Sequence, residues 1–366
     1  MPPHDHRGRL ARAARRAAEE GLDALVVAPS ADLIYLTGYE PPPLERLSCL
    51  IVRPDRDPVL IVPMLERPLA EGAGLDELVE LVSWGETDDP YARVADVTGP
   101  AARVGCSDRL WAAHLLRLQG TLGETAFEPA SSVLGGLRAV KDSQEVGLLK
   151  RAARYADETL GRLLQTRLET RTELDVAAQL DRLLLETGHD QVGFTIVGSG
   201  PNGASPHHQP TGREIQDGDP VVVDFGGRSG GYCSDMARTV AVGNPPREFP
   251  RVYEAVREAQ EEAFQAIRPG VPAQEVDRAA RRVIEREGLG DHFVHRTGHG
   301  IGLEEHEPPY IVEGNDQPLE VGMCFSVEPG VYLAGEFGVR IEDIVTVTES
   351  GARRLNHAPR DLAVVR

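Results

Sequence analysis

VVVDFGG, residues 221–227, sets an acid directly behind three valines. An apolar run of this kind reads as a buried strand, and a carboxylate taken out of water is costly unless it is paired or bound to a metal. FSVEPGV, residues 325–331, repeats the arrangement. Glu328 follows Phe325 and Val327, and in both segments the acid stands two residues before a glycine. Beyond each comes a second strand with an acid of its own: Asp235 in SDMARTVAV and Glu342 in RIEDIVTV.

The flanking segments repeat too. TELDVAAQLDRLLLETG (172–188) is a helix opened by a Thr172–Asp175 cap and closed by Gly188, and AQEVDRAARRVIEREG (273–288) is its counterpart, closed by Gly288. Each follows a long periodic helix, near 143–168 and 249–268, the first opened by a capping-box pattern of Asp142 and Glu145. A duplicated helix–helix–strand–strand unit accounts for this order. Its pseudo-two-fold axis would gather the four acids. Upstream, an amphipathic helix over 8–20 ends at Gly21, and DALVVA (23–28), LSCLIV (47–52) and PVLIVPM (58–64) read as strands of an alternating α/β region without a catalytic cluster. SSVLGG (131–136) reads as a linker, giving domains 1–135 and 136–366.

Between the two acid-bearing strand pairs lies HRTGHGIGLEEHEPP, residues 295–309, with His295, His299 and His306. On a helix, His295 and His299 would share a face, as in the zinc motif H-E-x-x-H. Arg296 stands where that motif needs Glu, and Gly298, Gly300 and Gly302 would each cost a helix about 1 kcal/mol. The stretch therefore reads as extended chain or loop, and any metal held there takes its other ligands from elsewhere.

Bulk properties narrow the function class. The chain has 366 residues, 41% hydrophobic and 27% charged, with 39 Lys and Arg against 58 Asp and Glu, a net charge of −19. That surface repels phosphate backbones and anionic lipid, so neither nucleic acid nor a membrane is an expected partner. Cysteines at 49, 106, 233 and 324 form no C-x-x-C pair, which suits a reducing compartment. MPPHDHRGRLARAARRAAEEG has no apolar core of the signal-peptide kind, and no run of about 18 apolar residues occurs. A cytoplasmic enzyme is expected.

Any one strand acid is more often solvent-facing or paired with an arginine, and Arg238 and Arg340 are available as such partners. The joint pattern of Asp224, Asp235, Glu328, Glu342 and a glycine-flanked His299 says more. Hard oxygens with one imidazole suit Mn²⁺, Co²⁺ or Zn²⁺. Four carboxylates exceed what one tetrahedral zinc needs and match two ions sharing bridging acids.

The ordered set DFG (224–226), DMART (235–239), GHGIGLEEHEPP (298–309), VEPG (327–330) and RIED (340–343) resembles the M24 metallopeptidase family of methionine aminopeptidase, aminopeptidase P and prolidase. ADLIYLTGY (31–39) resembles the creatinase-type N-terminal domain of the prolidase and aminopeptidase P branch, which methionine aminopeptidases lack. The resemblance implies an α/β (α+β) chain: a C-terminal pita-bread fold with a smaller creatinase-like α/β N-terminal domain. It implies five metal ligands, Asp224, Asp235, His299, Glu328 and Glu342, with Asp235 and Glu342 bridging. His306 matches the histidine that contacts the scissile carbonyl, His207 a substrate-contacting histidine, and His295 and Arg340 further active-site positions, while Glu328 doubles as the proton carrier. His208 stands where the family usually has Gly, which leaves open which of the pair points inward.

The activity so implied is hydrolysis of Xaa-Pro dipeptides by a hydroxide bridging two divalent ions, Mn²⁺ first, with Co²⁺ or Zn²⁺ as alternatives. The substrate is a small peptide with proline second, and the two-domain branch implies a homodimer. Some prolidases hold the substrate carboxylate with an Arg after the His306 position, but YIVEGNDQPLEVGM (310–323) has no Arg or Lys. An Xaa-Pro aminopeptidase, or a related hydrolase of another small amide, stays open as the alternative. Two other readings are weaker. GSGPNG (198–203) matches G-x-G-x-x-G after a strand, but Pro201, Pro206 and Pro210 oppose the helix a dinucleotide site requires. A metal-free relative such as creatinase would lack the ligands, whereas all five positions are filled here.

Overall fold

The computed structural model describes residues 5–365. The chain divides into two compact units between Arg138 and Ala139. Among the described residues, no helix is long and apolar enough to cross a membrane.

The first unit is a six-stranded mixed sheet with helices. Its strands are β1 (Ala24–Val27), β2 (Cys49–Arg53), β3 (Arg56–Pro63), β4 (Glu80–Trp84), β5 (Arg103–Cys106) and β6 (Ala126–Pro129), in the order β4-β3-β2-β1-β5-β6. The three apolar runs seen in the sequence are β1, β2 and β3, and β1 is buried along its whole length, as its unbroken apolar sequence requires. SSVLGG is not a linker. It lies in a helix, Ser131–Ala139. Val133 and Leu134 are 1% and 0% exposed, and this burial outweighs the helix penalty of Gly135 and Gly136.

In the second unit each pair of helices is followed by strands, in the order the sequence pattern implies. Helices Ser143–Leu163 and Glu173–Thr187 accompany β7 (Gln191–Ser199), β8 (Pro220–Ser229), β9 (Tyr232–Cys233) and β10 (Met236–Val242). Helices Phe249–Ala266 and Ala273–Arg286 accompany β11 (Gly298–Gly300), β12 (Glu307–Ile311) and β13 (Cys324–Val327). The hairpin β14 (Gly330–Leu333) and β15 (Phe337–Arg340) follows, then β16 (Asp343–Thr348), β17 (Gly351–Arg354) and β18 (Val364–Val365). One sheet runs β18-β10-β8-β7, with β9 on β8, and the other runs β12-β11-β13-β16-β17.

Each half has its own core. In the first, Leu160, Val176, Leu180 and Leu184 of the helices meet Val221, Val223 and Phe225 of β8. In the second, Val256, Ala259, Val276 and Ala280 meet Phe325, Val327 and Val345. The Asp142–Glu145 and Thr172–Asp175 capping boxes both form, satisfying main-chain N–H groups at the helix starts. The first long helix stops at Leu163, short of 168, because the Thr166 hydroxyl takes over the Leu163 carbonyl at 2.7 Å.

Around His299 the chain is extended. A Cβ on Gly298 would lie 1.9 Å from the Ser326 carbonyl oxygen, so only glycine lets β11 and β13 approach. GSGPNG continues β7 into a five-residue 3₁₀ turn, Gly200–Ala204, rather than the α-helix a dinucleotide site needs.

Candidate metal centre and substrate cavity

The strands of both halves deliver their acids to one place. Asp224 sits within β8, Asp235 just ahead of β10, Glu328 just after β13, and Glu342 between β15 and β16. All four are nearly inaccessible, between 1% and 9% exposed. Ligand atoms of Asp224, Asp235 and Glu342 lie within 4.8 Å of one another, as do those of His299, Glu328 and Glu342, and those of Asp235, His299 and His306.

Such crowding is unfavourable by itself. Burial, then the charges of neighbouring acids, pushes the Asp235 and Glu342 carboxyls well above the ordinary carboxylate value. Burial also raises Asp224, against the opposing charge of Arg340. Asp224 Oδ1, Asp235 Oδ1 and Glu342 Oε1 are buried without a hydrogen-bond partner. Buried polar atoms are rarely left so. Three orphaned carboxylate oxygens, in groups that overlap one containing His299, fit the oxygen and nitrogen donors a divalent cation takes.

His299 is oriented for that task. Its Nδ1 lies 3.2 Å from the Gly300 carbonyl, which fixes the proton there. Nε2 is left facing Glu328 Oε1 at 3.2 Å and Asp235 Oδ2 at 3.6 Å. Ser326 links the two strands, accepting from the His299 N–H at 2.9 Å and donating to Glu328 at 3.1 Å. Burial raises the Glu328 carboxyl, and the opposing pull below its ordinary value comes from a His299 ring in its charged form and from the Arg340 guanidinium.

The two arginines named as possible partners both take acids. Arg238 pairs with Asp343 at 2.6 Å, and Arg340 donates to Asp224. Arg340 also donates from Nε to the Tyr332 oxygen at 2.8 Å and from Nη2 to the Pro206 carbonyl at 2.8 Å. The direction of the chain follows: the Tyr332 hydroxyl, already an acceptor, donates to His295 Nε2 at 2.9 Å, and His295 Nδ1–H donates to the Arg296 carbonyl at 2.7 Å. Burial pushes His295 down to about 4, keeping it neutral. Both its ring nitrogens are thus committed to protein groups, although it lines the cavity.

That cavity, about 700 Å³, is lined by the five candidate ligands together with His207, His295, His306 and Arg340. His306 is exposed at its wall, with its ring 3.9 Å from that of His299, centroid to centroid. Loss of water, foremost, lowers its basicity, and the Arg296 guanidinium adds to this. Of the pair at 207 and 208, His207 lines the cavity, while His208 Nε2 is 2.9 Å from Glu173.

Sequence reasoning missed several wall residues. Phe194 and Ile196 share one face of β7 and supply apolar surface, which the alternation of the strand could have signalled. Arg296 also lines the cavity, with its guanidinium 4.5 Å from the centre of the Tyr310 ring. Tyr332 had no signal, since its role depends on a hydroxyl meeting two side chains distant in sequence.

Comparison with known proteins bears on the whole chain. The model of metallopeptidase family M24 matches residues 147–349, and that of the creatinase/prolidase N-terminal domain matches residues 9–140. The chain is 45% identical to a probable dipeptidase PepE of Mycobacterium tuberculosis, over 98% of this chain and 96% of that protein. It is 37% identical to an Xaa-Pro dipeptidase of Lactobacillus helveticus, over 90% of this chain and 92% of that one. The crystal structure of a recombinant prolidase from Thermococcus sibiricus superposes with a TM-score of 0.93 at 38% identity, covering 99% of this chain and 100% of the other.

Proposed function

The chain belongs to metallopeptidase family M24, and from that premise we propose that it hydrolyses the Xaa-Pro bond of dipeptides. The observation that carries this reading is the cluster of buried carboxylates and His299, three of the acids each keeping an oxygen without a hydrogen-bond partner, opening onto a cavity of small-peptide size. Asp224, Asp235, His299, Glu328 and Glu342 would hold two divalent ions, Mn²⁺ first, since the ligand clusters overlap at Asp235, His299 and Glu342. Catalysis then belongs to the region 136–366, with 1–135 as the supporting domain. Bound divalent cations acidify water and polarise a carbonyl.

The chain's own residues do the rest. Ionised Glu328 takes the proton of the attacking water and passes it to the proline nitrogen as the C–N bond breaks. Neutral His306 donates a hydrogen bond to the carbonyl oxygen as negative charge develops there. Arg340 holds Asp224 and the Pro206 carbonyl, so the His207 loop and the ligand strand keep a fixed distance. Proline offers no N–H for recognition, so its ring needs an apolar wall, which Phe194 and Ile196 supply. The substrate carboxylate needs a cation. With Arg340 committed to Asp224, Arg296 is the residue assigned to it.

Exposed Met64, Leu65, Leu69 and Leu116 of the first unit offer apolar area for a homodimer, and four free cysteines suit a cytoplasmic setting. The test is Mn²⁺-supplemented hydrolysis of an Xaa-Pro dipeptide against an Xaa-Pro-Yaa tripeptide. Preference for the dipeptide supports the proposal. Preference for the tripeptide makes the enzyme an aminopeptidase and removes the role given to Arg296.

A further inference from the structure

Glu173 opens the second helix of the unit and is 0% exposed. Its carboxylate accepts from six donor atoms across a loop that returns from β7. Oε1 takes the Ser199 N–H at 2.8 Å and the Ser199 hydroxyl at 2.7 Å. Oε2 takes the Thr211 N–H at 3.0 Å, the Thr211 hydroxyl at 2.7 Å and His208 Nε2 at 2.9 Å. The Asn202 amide reaches both oxygens, at 3.1 and 3.2 Å. Residues at both ends and in the middle of the segment 199–211 thus converge on one side chain. His207 stands within that segment on the cavity wall. The neighbouring Pro206 carbonyl accepts from Arg340, which holds Asp224. A second close approach fixes the same segment: a Cβ on Gly338 of β15 would lie 1.9 Å from the Gly203 carbonyl oxygen.

We propose that Glu173 is a positioning residue for substrate binding: by gathering the 199–211 segment it sets where His207 meets the peptide, an assignment that rests on the peptidase reading above. The carboxylate is required in its ionised form. Each of its oxygens faces a main-chain N–H, of Ser199 or of Thr211, which cannot turn from donor to acceptor. An amide at this position must therefore set its own N–H₂ against one of them. His208, standing where the family usually has glycine, is drawn into this clamp and away from the cavity.

The experiment is a double-mutant cycle between Glu173→Gln and His207→Ala with an Xaa-Pro dipeptide, together with amide hydrogen exchange over 199–211 and Mn²⁺ binding by calorimetry. Glu173→Gln is expected to raise KM at least fivefold, change kcat less than KM, speed exchange across 199–211, and leave Mn²⁺ affinity within twofold. In the His207→Ala background the same change should cost less than twofold in kcat/KM, since the group being positioned is gone. Should Glu173→Gln fail to fold, Thr211→Val removes one donor from the clamp at the surface and is expected to raise KM about twofold with the same non-additivity. Additive effects, or unchanged exchange in 199–211, would overturn the proposal. Exchange is read without substrate, so an absence of Xaa-Pro hydrolysis in the unaltered protein would count against the peptidase reading while the clamp stays measurable.

Discussion

His299 Nε2 stands 3.2 Å from Glu328 Oε1, while its Nδ1 is tied to the carbonyl of Gly300. The pair joins the nitrogen proposed as a metal ligand to the group proposed to carry the proton. Removing His299 leaves the carboxylate cluster without its imidazole. His299→Ala is expected to weaken Mn²⁺ binding at least a hundredfold, on the order of the upper loss seen for outer-shell changes at metal sites, as measured by calorimetry. Wild-type affinity in the variant would remove His299 from the ligand set.

The role proposed for His306 is on the substrate rather than on the metal. His306→Ala should lower kcat on Xaa-Pro dipeptides by about 10²–10³, the usual cost of one oxyanion donor, with metal content unchanged. Metal analysis alongside steady-state kinetics checks it. Loss of metal in this variant would instead make His306 a ligand, a role its proximity to Asp235 and His299 permits.

Arg296 is assigned to the carboxylate of a dipeptide. Charge-assisted hydrogen bonds are worth about 1.5–3 kcal/mol, or roughly ten- to a hundredfold in binding. Arg296→Met should raise KM for an Xaa-Pro dipeptide by about that factor and leave the C-terminally amidated substrate unaffected. Equal losses on both substrates would place the carboxylate elsewhere.

Lys141 and Glu307 form a pair at 2.8 Å whose side chains are 1% and 2% exposed. Breaking one side strands a buried charge, so Lys141→Met should destabilise the protein by about 3–5 kcal/mol in urea unfolding. Adding Glu307→Gln should restore part of that loss. Equal destabilisation by the single and double variants would show that packing, not charge, sets the cost.

The Glu173 clamp carries a pH signature. Burial would raise this carboxyl, but hydrogen bonds from His208, Ser199 and Thr211 bring it down to about 2. A carboxyl whose folded value lies below its unfolded value, about 4.5, stabilises the fold above 4.5, and this contribution is lost as pH falls toward 2. The stability gap between the unaltered protein and Glu173→Gln should therefore be widest above about pH 4.5 and narrow on acidification, as read from urea midpoints between pH 6 and 3. A gap constant with pH would show that the carboxylate charge contributes nothing.

Much of this was legible in the sequence because the candidate metal cluster is written in local patterns. An acid inside an apolar run, at Asp224 behind three valines and again at Glu328 behind Phe325 and Val327, announces both a strand and a reason to bury a charge, and the recurring order of elements announces the two half-cores. What stayed hidden depends on contacts between distant segments. The directions of the Arg340–Tyr332–His295 chain, and the choice of His207 over His208, rest on hydrogen bonds that only the folded chain brings together. SSVLGG misled for a related reason: its glycines speak locally against a helix, while the burial of Val133 and Leu134 is tertiary.

The most direct test of the account follows Xaa-Pro dipeptide hydrolysis after the protein has been stripped with a chelator and then titrated with Mn²⁺, with bound metal measured in parallel. No hydrolysis is expected in the stripped protein, with recovery that tracks metal occupancy and is abolished in His299→Ala. Hydrolysis that persists without metal, or full occupancy that restores no Xaa-Pro cleavage, would contradict it.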